Sequence, residues 1–125
     1  MTHLACAITI ELQLTGNKVT FESCHKLINE FMRGYDVERK YLERMYNAKY
    51  LILDDLDSGL FSANTIESQK FLRNFFDVID TRDAREKSRI LITTNMQITD
   101  FSNIDDRLSS RMSAIRINGK DFRGV

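Results

Sequence analysis

The sequence lacks proline altogether and contains only five glycines among its 125 residues. Because these two residues most often mark linkers and turns, their scarcity predicts a single domain without a hidden linker. Two cysteines, Cys6 and Cys24, are too few for a disulfide-stabilised secreted scaffold, which favours a reducing compartment. No apolar run approaches the roughly 20 residues that span a bilayer, and residues 1–5 lack the basic flank of a signal peptide. We therefore expect a soluble cytoplasmic protein without membrane association.

A surplus of charge of either sign is also absent, because 18 basic side chains balance 18 acidic ones. This balance excludes a molecule that attracts nucleic acid over its whole surface. Contact with nucleic acid must then come from a local patch. Residues 82–89 contain four cations and two anions, and we interpret them either as a solvated loop or as such a patch.

The sequence does contain alternating helical and strand patterns. Apolar residues at helical spacing predict helices over 2–14, 25–46 with a break near Gly34, 65–82 and about 105–112. Short apolar or β-rich runs predict strands over 18–23, 50–54, 90–94 and 114–118. Strands that alternate with helices indicate an α/β fold with a parallel sheet.

Two of the predicted strands end in polar residues, Asp54-Asp55 and Thr93-Thr94-Asn95. Ligands of open parallel sheets bind beyond the carboxyl ends of the strands. Two acids at such an end suit Mg²⁺ on nucleotide phosphates, the first orienting the metal through its waters and the second polarising an attacking water. The amide of Asn95, at the end of the neighbouring strand, would hydrogen-bond a γ-phosphate or hold a water in line with it. The alternatives are an acid that caps a helix and an ordinary turn-forming asparagine.

A pair of arginines, Arg107 and Arg111, lies four residues apart on the predicted helix at 105–112. Residues at this spacing project from one helix face. Paired guanidinium groups suit a phosphate, either on a neighbouring subunit's nucleotide or on a nucleic-acid backbone. The alternative is a solvated face with local ion pairs to Asp105 and Asp106.

The order of these motifs resembles that of the AAA+ ATPases, and within them the helicase loaders of the DnaC/DnaI type and the related IstB-type transposition helpers. Residues 2–8 resemble the helix that follows the phosphate loop. Residues 51–56 match the Walker B strand and 93–95 match sensor 1. Residues 107–111 resemble the arginine-finger segment, and 117–123 resemble the closing strand and turn.

The resemblance implies a three-layer P-loop NTPase sheet with flanking helices, and ATP with Mg²⁺ as cofactors. The catalytic residues it implies are Asp55, Asn95, Arg107 and Arg111. The nucleotide-binding residues it implies are Thr2, Asp54 and Arg123, with Thr2 and Asp54 on the Mg²⁺ side.

The chain departs from the family at the phosphate loop. The Gly-rich loop and its Lys would come just before Thr2, and Met1 stands where the Lys is expected. The central strand ahead of that loop is missing as well. We therefore expect residues 1–125 to form a single, incomplete AAA+ core that binds ATP weakly or not at all. In its sheet, the strand at 114–118 is expected to close up against the strand at 90–94.

Three functions agree with these features. The leading one is a helicase loader of DNA replication, whose partners would be the replicative helicase and single-stranded DNA, with self-association through the arginine-finger face. The second is a transposition helper that serves a transposase and duplex DNA. The third is a non-catalytic module that binds a loader or helicase. The Asp-Asp pair at 54–55 and the sequence of residues 106–111 favour the loader.

Overall fold

The computed structural model describes residues 2–87, 89–97 and 100. Contacts divide the chain into two units, Met1–Asn95 and Met96–Val125, and every element given below belongs to the first. The predicted helix at about 105–112 and the predicted strand at 114–118 lie outside the described residues. The single core over residues 1–125 and the pairing of its last two strands therefore stay predictions.

Helices and strands alternate along the first unit, as the sequence predicted. The elements are α1 (Thr2–Leu14), β1 (Val19–Ser23), α2 (Cys24–Glu30), α3 (Tyr35–Asn47), β2 (Tyr50–Leu56), α4 (Gly59–Ser62), α5 (Ile66–Ala84) and β3 (Ile90–Thr94). The three strands form one parallel sheet in the order β1-β2-β3, which confirms the α/β prediction. Only the short α4 was not predicted. Among the helices of the described residues, none is both long and apolar enough to cross a bilayer.

The middle strand, β2, is buried on both faces. Leu51, Ile52 and Leu53 are each at most 2% exposed. Because successive side chains of a strand point to opposite faces, both faces of the sheet must be covered here. Leu53 lies with Phe71 and Val78 in an apolar cluster between the sheet and the helices. The polar residues that end β2 are therefore attached to the best-packed strand of the unit.

Glycines end α1 and separate α2 from α3. Gly16 has a φ of +83°, in the left-handed region that a side chain disfavours. Its N–H donates to the Gln13 carbonyl and the Asn17 N–H to the Leu12 carbonyl, both at 3.0 Å, which completes a Schellman motif. Gly34, with a φ of +139°, forms the break that the sequence indicated between two helices.

Helix α5 supplies much of the core. Its first N–H groups are capped by Thr65, whose hydroxyl oxygen accepts from the Ser68 N–H at 3.1 Å. Phe71 and Phe75 pack with ring centroids 6.1 Å apart and are almost fully buried. Ile66, which the spacing assigned to the same stripe, is 72% exposed. Helical periodicity identifies the apolar face, but Ile66 begins the helix and lies beyond the end of the core.

Arg82 on α5 is fully buried, whereas its sequence position suggested a solvated loop or surface patch. Its Nη1 donates to the carbonyls of Met45 at 2.8 Å and Ala48 at 2.6 Å. Its Nη2 donates to the carbonyls of Lys49 at 3.4 Å and Arg89 at 3.3 Å. Burial lowers the pKa of the guanidinium. One side chain thus joins the end of α3 to the beginnings of β2 and β3.

Replacing Arg82 by Met removes these donors and leaves buried carbonyls without partners. Each such group costs about 1–3 kcal/mol, so we expect Arg82→Met to lower the free energy of unfolding by about 3–5 kcal/mol in urea denaturation. Arg73→Met on the exposed side of the same helix is the matched control and should change it by less than about 0.5 kcal/mol. Equal effects of the two substitutions would contradict this role of Arg82.

Candidate functional site

A β-bulge lies at the carboxyl end of β2. Leu53 pairs with Ile92 and Leu56 pairs with Thr94, so β2 contains one residue more than β3 over this interval. Asp55 has a φ of +63°, one of the uncommon positive values that Asp tolerates better than most residues. Bulges of this kind re-aim side chains at the edges of sheets.

The two adjacent acids have different surroundings as a result. Asp54 is only 4% exposed, whereas Asp55 is exposed to solvent. Both lie at the carboxyl edge of the sheet, at the point where the sequence predicted a ligand site. The bulge thus directs one carboxylate into the protein and leaves its neighbour exposed to solvent.

The Thr93 hydroxyl fixes both acids. It donates to Asp54 Oδ1 at 2.6 Å and accepts from the Asp55 N–H at 2.8 Å. Thr94 adds a bond from its hydroxyl to the Leu56 carbonyl at 2.5 Å. Sequence reasoning chose Asn95 as the polar residue of this segment and missed Thr93. The sequence did contain a signal for it. Thr93 is a hydroxyl residue at the end of an apolar strand, and that strand is the next one in the chain after the strand that ends in two acids.

Asn95 joins the end of β3 to the loop that follows β2. Its Oδ1 accepts from the Ser58 N–H at 3.0 Å. The bond reaches a segment 37 residues away, so Asn95 does more than close a local turn. The structure therefore brings Asp54, Asp55 and Asn95 to one edge, and the role of Asn95 toward a phosphate stays a prediction.

Cys24 lies beside the acids, since Ser23 pairs with Asp54 and Cys24 follows it. The thiol is fully buried. Burial first, and then the charges of Asp54 and Asp55, raise the pKa of Cys24 to about 12. The thiol therefore stays protonated at neutral pH and acts as an apolar neighbour of the site.

A second buried acid lies further back on β1. Glu22 is 6% exposed and its Oε1 lies 2.6 Å from Arg44 Nη2. Burial raises the pKa of Glu22, and Arg44 opposes that shift. Because the ion pair occupies this carboxylate, Glu22 is part of the framework behind the site.

The side chains available as ligands at the carboxyl edge determine which metal ion could bind there. Within the described ranges, no group of three or more His, Cys, Asp or Glu side chains is placed to hold a metal ion. Mg²⁺ is commonly held by one or two carboxylates together with water and substrate phosphates. Asp54 and Asp55 fit that arrangement, in which the metal arrives with a phosphate ligand.

The other predicted site residues are not tested by the described structure. Thr2 begins α1 at the position expected for the helix after a phosphate loop. Arg107, Arg111 and Arg123 lie outside the described residues. The roles assigned to these four side chains stay predictions.

Comparisons with known proteins give a family and a fold. A family model for the IstB-like ATP binding protein matches residues 1–123. Among solved structures, the chain is similar to a DNA replication initiation factor, with 19% identity and a TM-score of 0.70 over 97% of this chain and 38% of that one. AMPPCP-bound DnaA from Aquifex aeolicus gives 19% identity and 0.65, with 97% and 38% covered. No curated protein matches the chain significantly.

A replication initiator DnaA bound to AMPPCP and single-stranded DNA is also similar, with 20% identity and a TM-score of 0.66 over 88% of this chain and 33% of that one. The chain thus spans about two fifths or less of the length of each of these structures. At such identities the likeness establishes the fold, a parallel sheet with flanking helices of the P-loop NTPase type.

We expect Thr93→Val to lower the free energy of unfolding by about 1–3 kcal/mol, because it removes the partner of Asp54 Oδ1 and of the Asp55 N–H while preserving side-chain shape. Thermal or urea denaturation measures the change. Thr20→Val on β1 is the matched control, since within the described part of the chain the Thr20 side chain makes no hydrogen bond. A loss in Thr20→Val as large as in Thr93→Val would contradict the role of Thr93.

The two thiols should differ sharply in reactivity. A disulfide reagent at neutral pH should modify Cys6, which is exposed, and leave Cys24 unmodified until the protein unfolds. The chromophore released should therefore correspond to one thiol in the native protein and to two in denaturant. Rapid native labelling of Cys24 in the Cys6→Ser variant would contradict the burial of this thiol beside Asp54.

Proposed function

Because this chain belongs to the IstB-like ATP-binding protein family of the AAA+ group, we propose that it is the nucleotide-responsive core of a helicase loader of DNA replication, of the DnaC/DnaI type. The observation that carries the proposal is the bulge of β2, where one acid is buried, the next is exposed and Thr93 bonds both. The similarity in fold to a DNA replication initiation factor and to DnaA supports a role in replication.

The two acids have separate roles in this proposal. Asp54 holds the Mg²⁺ side of bound ATP through water, with its orientation fixed by the Thr93 hydroxyl. Asp55 is exposed and its N–H is fixed, so its carboxylate orients and polarises the attacking water. Mg²⁺, when bound with ATP, supplies positive charge that stabilises the transferring phosphoryl group. The bulge is what allows neighbouring residues to perform these two tasks.

The remaining residues complete the proposed nucleotide site. Asn95 is held at the edge through its Oδ1, and we assign its Nδ2 as a donor to the γ-phosphate. Thr2 and Arg123 contact the nucleotide of the same protomer. Arg107 and Arg111 act on the nucleotide of a neighbouring protomer, which gives the chain a reason to self-associate when ATP is bound.

A second candidate function is a transposition helper, which the description of the matched family favours. The two functions differ in the DNA they use, because a loader would respond to single-stranded DNA and a transposition helper to duplex DNA. ATP turnover measured with each kind of oligonucleotide separates them. A non-catalytic module would show no turnover with either.

ATP hydrolysis tests the roles of the acids. Residues 1–125 contain no Gly-rich phosphate loop with its Lys, so this chain alone should show no turnover. In a polypeptide that supplies such a loop ahead of Thr2, we expect Mg²⁺-dependent hydrolysis. Asp55→Asn should lower kcat by about 10²-fold or more there, because a positioned base is removed while the ATP contacts remain.

The matched control is Asp36→Asn, which removes an exposed carboxylate in the first turn of α3. Its kcat should equal that of the parent. Arg107→Ala and Arg111→Ala, made in the same polypeptide, should each lower kcat by about 10³-fold. Full activity in Asp55→Asn would contradict the proposed role of Asp55. If the 125-residue chain alone hydrolyses ATP and Asp55→Asn abolishes that activity, the phosphate loop is not needed for hydrolysis.

A further inference from the structure

The amino edge of the sheet, opposite the two acids, is rich in cations. Lys18, Lys49 and Arg89 stand at the starts of the three strands, which lie side by side because the strands are parallel. Arg85 and Lys87 follow α5 in the turn that leads to β3. We call the set of Lys18, Lys49, Arg85, Lys87 and Arg89 the basic edge.

Neutral oxygen atoms position the cations of the basic edge. Lys49 Nζ donates to Asn17 Oδ1 at 3.2 Å, in the turn before β1. Arg85 Nη1 donates to Asn47 Oδ1 at 3.2 Å. Lys87 Nζ donates to the Asn47 carbonyl at 3.4 Å. These bonds orient the side chains but leave their charges uncompensated.

Two tyrosine rings lie against these cations, the partly exposed ring of Tyr50 and the buried ring of Tyr46. The Arg89 guanidinium lies 5.4 Å and the Lys49 Nζ 5.6 Å from the Tyr50 ring centroid. Arg89 Nη1 donates to the Tyr50 hydroxyl at 3.2 Å. The Arg85 guanidinium lies 5.5 Å from the Tyr46 ring centroid. The rings hold the cations against the protein by cation–π attraction, which lowers the entropy lost when a ligand binds them.

Some cations elsewhere on the surface are paired with acids. In the turn before α3, Arg33 lies 2.8 Å from Glu30, and on α3 Arg39 lies 2.7 Å from Glu43. None of the ion pairs found among the described residues includes a member of the basic edge. No described ion pair therefore compensates the positive charge of this edge.

The local charge balance points in the same direction. Asp83 and Glu86 lie near the end of α5, and Glu43 and Asp77 lie beside Asn47 and Tyr46, so the five cations of the basic edge outnumber these four acids. Buried Arg82 adds a further positive charge beneath the surface, where its Nη2 bonds the carbonyls of Lys49 and Arg89. Placing like charges on adjacent strands works against stability, and a polyanionic ligand would offset that cost.

We propose that the basic edge binds the phosphate backbone of DNA, on the side of the sheet opposite the nucleotide site. Neighbouring strands lie about 4.8 Å apart, so the edge presents cations at short intervals, and phosphates repeat at comparably short intervals along a nucleic acid. The contact reads no base sequence, because it consists of charge and ring surface alone. This assignment rests on the proposed function in one respect, that DNA is a ligand of the chain.

Fluorescence anisotropy with a labelled mixed-sequence oligonucleotide, single-stranded and duplex, tests the proposal between 50 and 300 mM salt. We expect the Lys49→Gln/Lys87→Gln/Arg89→Gln variant to bind DNA at least about tenfold more weakly at low salt. The slope of its log binding constant against log salt concentration should be smaller in magnitude by about 2 to 3, since each phosphate contact contributes about 0.7–0.9 to that slope. The variant with Lys49→Arg, Lys87→Arg and Arg89→Lys keeps the charge and should keep the slope. Its binding also shows whether a loss in the first variant comes from charge or from misfolding.

The matched control is Arg33→Gln/Arg39→Gln/Lys40→Gln, which removes the same charge from α3 and the turn before it. Its affinity should stay within about twofold of the parent. Equal losses in both triple variants, or displacement of DNA by poly-glutamate at equal charge concentration, would overturn the proposal. Absence of DNA binding in a polypeptide that hydrolyses ATP would overturn it as well. A polypeptide without ATP turnover could still bind DNA and lose that binding when the basic edge is neutralised. Such a result would support the DNA-binding proposal and refute the proposed ATPase.

Discussion

The buried guanidinium of Arg82 is the constraint on which the arrangement of the sheet depends. Three of the carbonyls it bonds belong to the end of α3 and the approach to β2, and the fourth belongs to the residue before β3. A helix end leaves carbonyls without partners inside the helix, and here a cation from another helix supplies the donors. The same group therefore holds the beginnings of two neighbouring strands beside the end of a helix.

The alignment of the strands brings their last residues together at the carboxyl edge, where β2 contains a β-bulge. The extra residue in β2 separates the directions of two neighbouring carboxylates that a regular strand would place on opposite faces of a covered sheet. The Thr93 hydroxyl then bonds one acid through its carboxylate and the other through its backbone. A single side chain on the adjacent strand therefore sets the relative position of the two acids to which we assign the nucleotide site.

Much of this fold follows from local patterns, but the parts that make the site do not. Apolar spacing predicted α1 to the residue, and the continuous run at 50–54 indicated a strand buried on both faces. No feature of Asp54-Asp55 signals that the second acid takes a positive φ, because that conformation depends on the register with β3. The role of Thr93 depends on the same register. Arg82 was misplaced because it begins a charge-rich stretch, and only tertiary packing shows that it points inward.

The parallel direction of the strands has an electrical consequence for a molecule with no net charge. Each of the three described strands follows a cation, and the middle one ends at the acids Asp54 and Asp55, so opposite charges are separated along the strand axis. Such a separation gives the unit an electric dipole, although its 13 basic and 14 acidic side chains nearly cancel in the sum. In the field of a polyanion, a dipole experiences a torque before any contact forms. The amino edge would turn toward the polyanion during approach, and the carboxyl edge would face the surrounding solution.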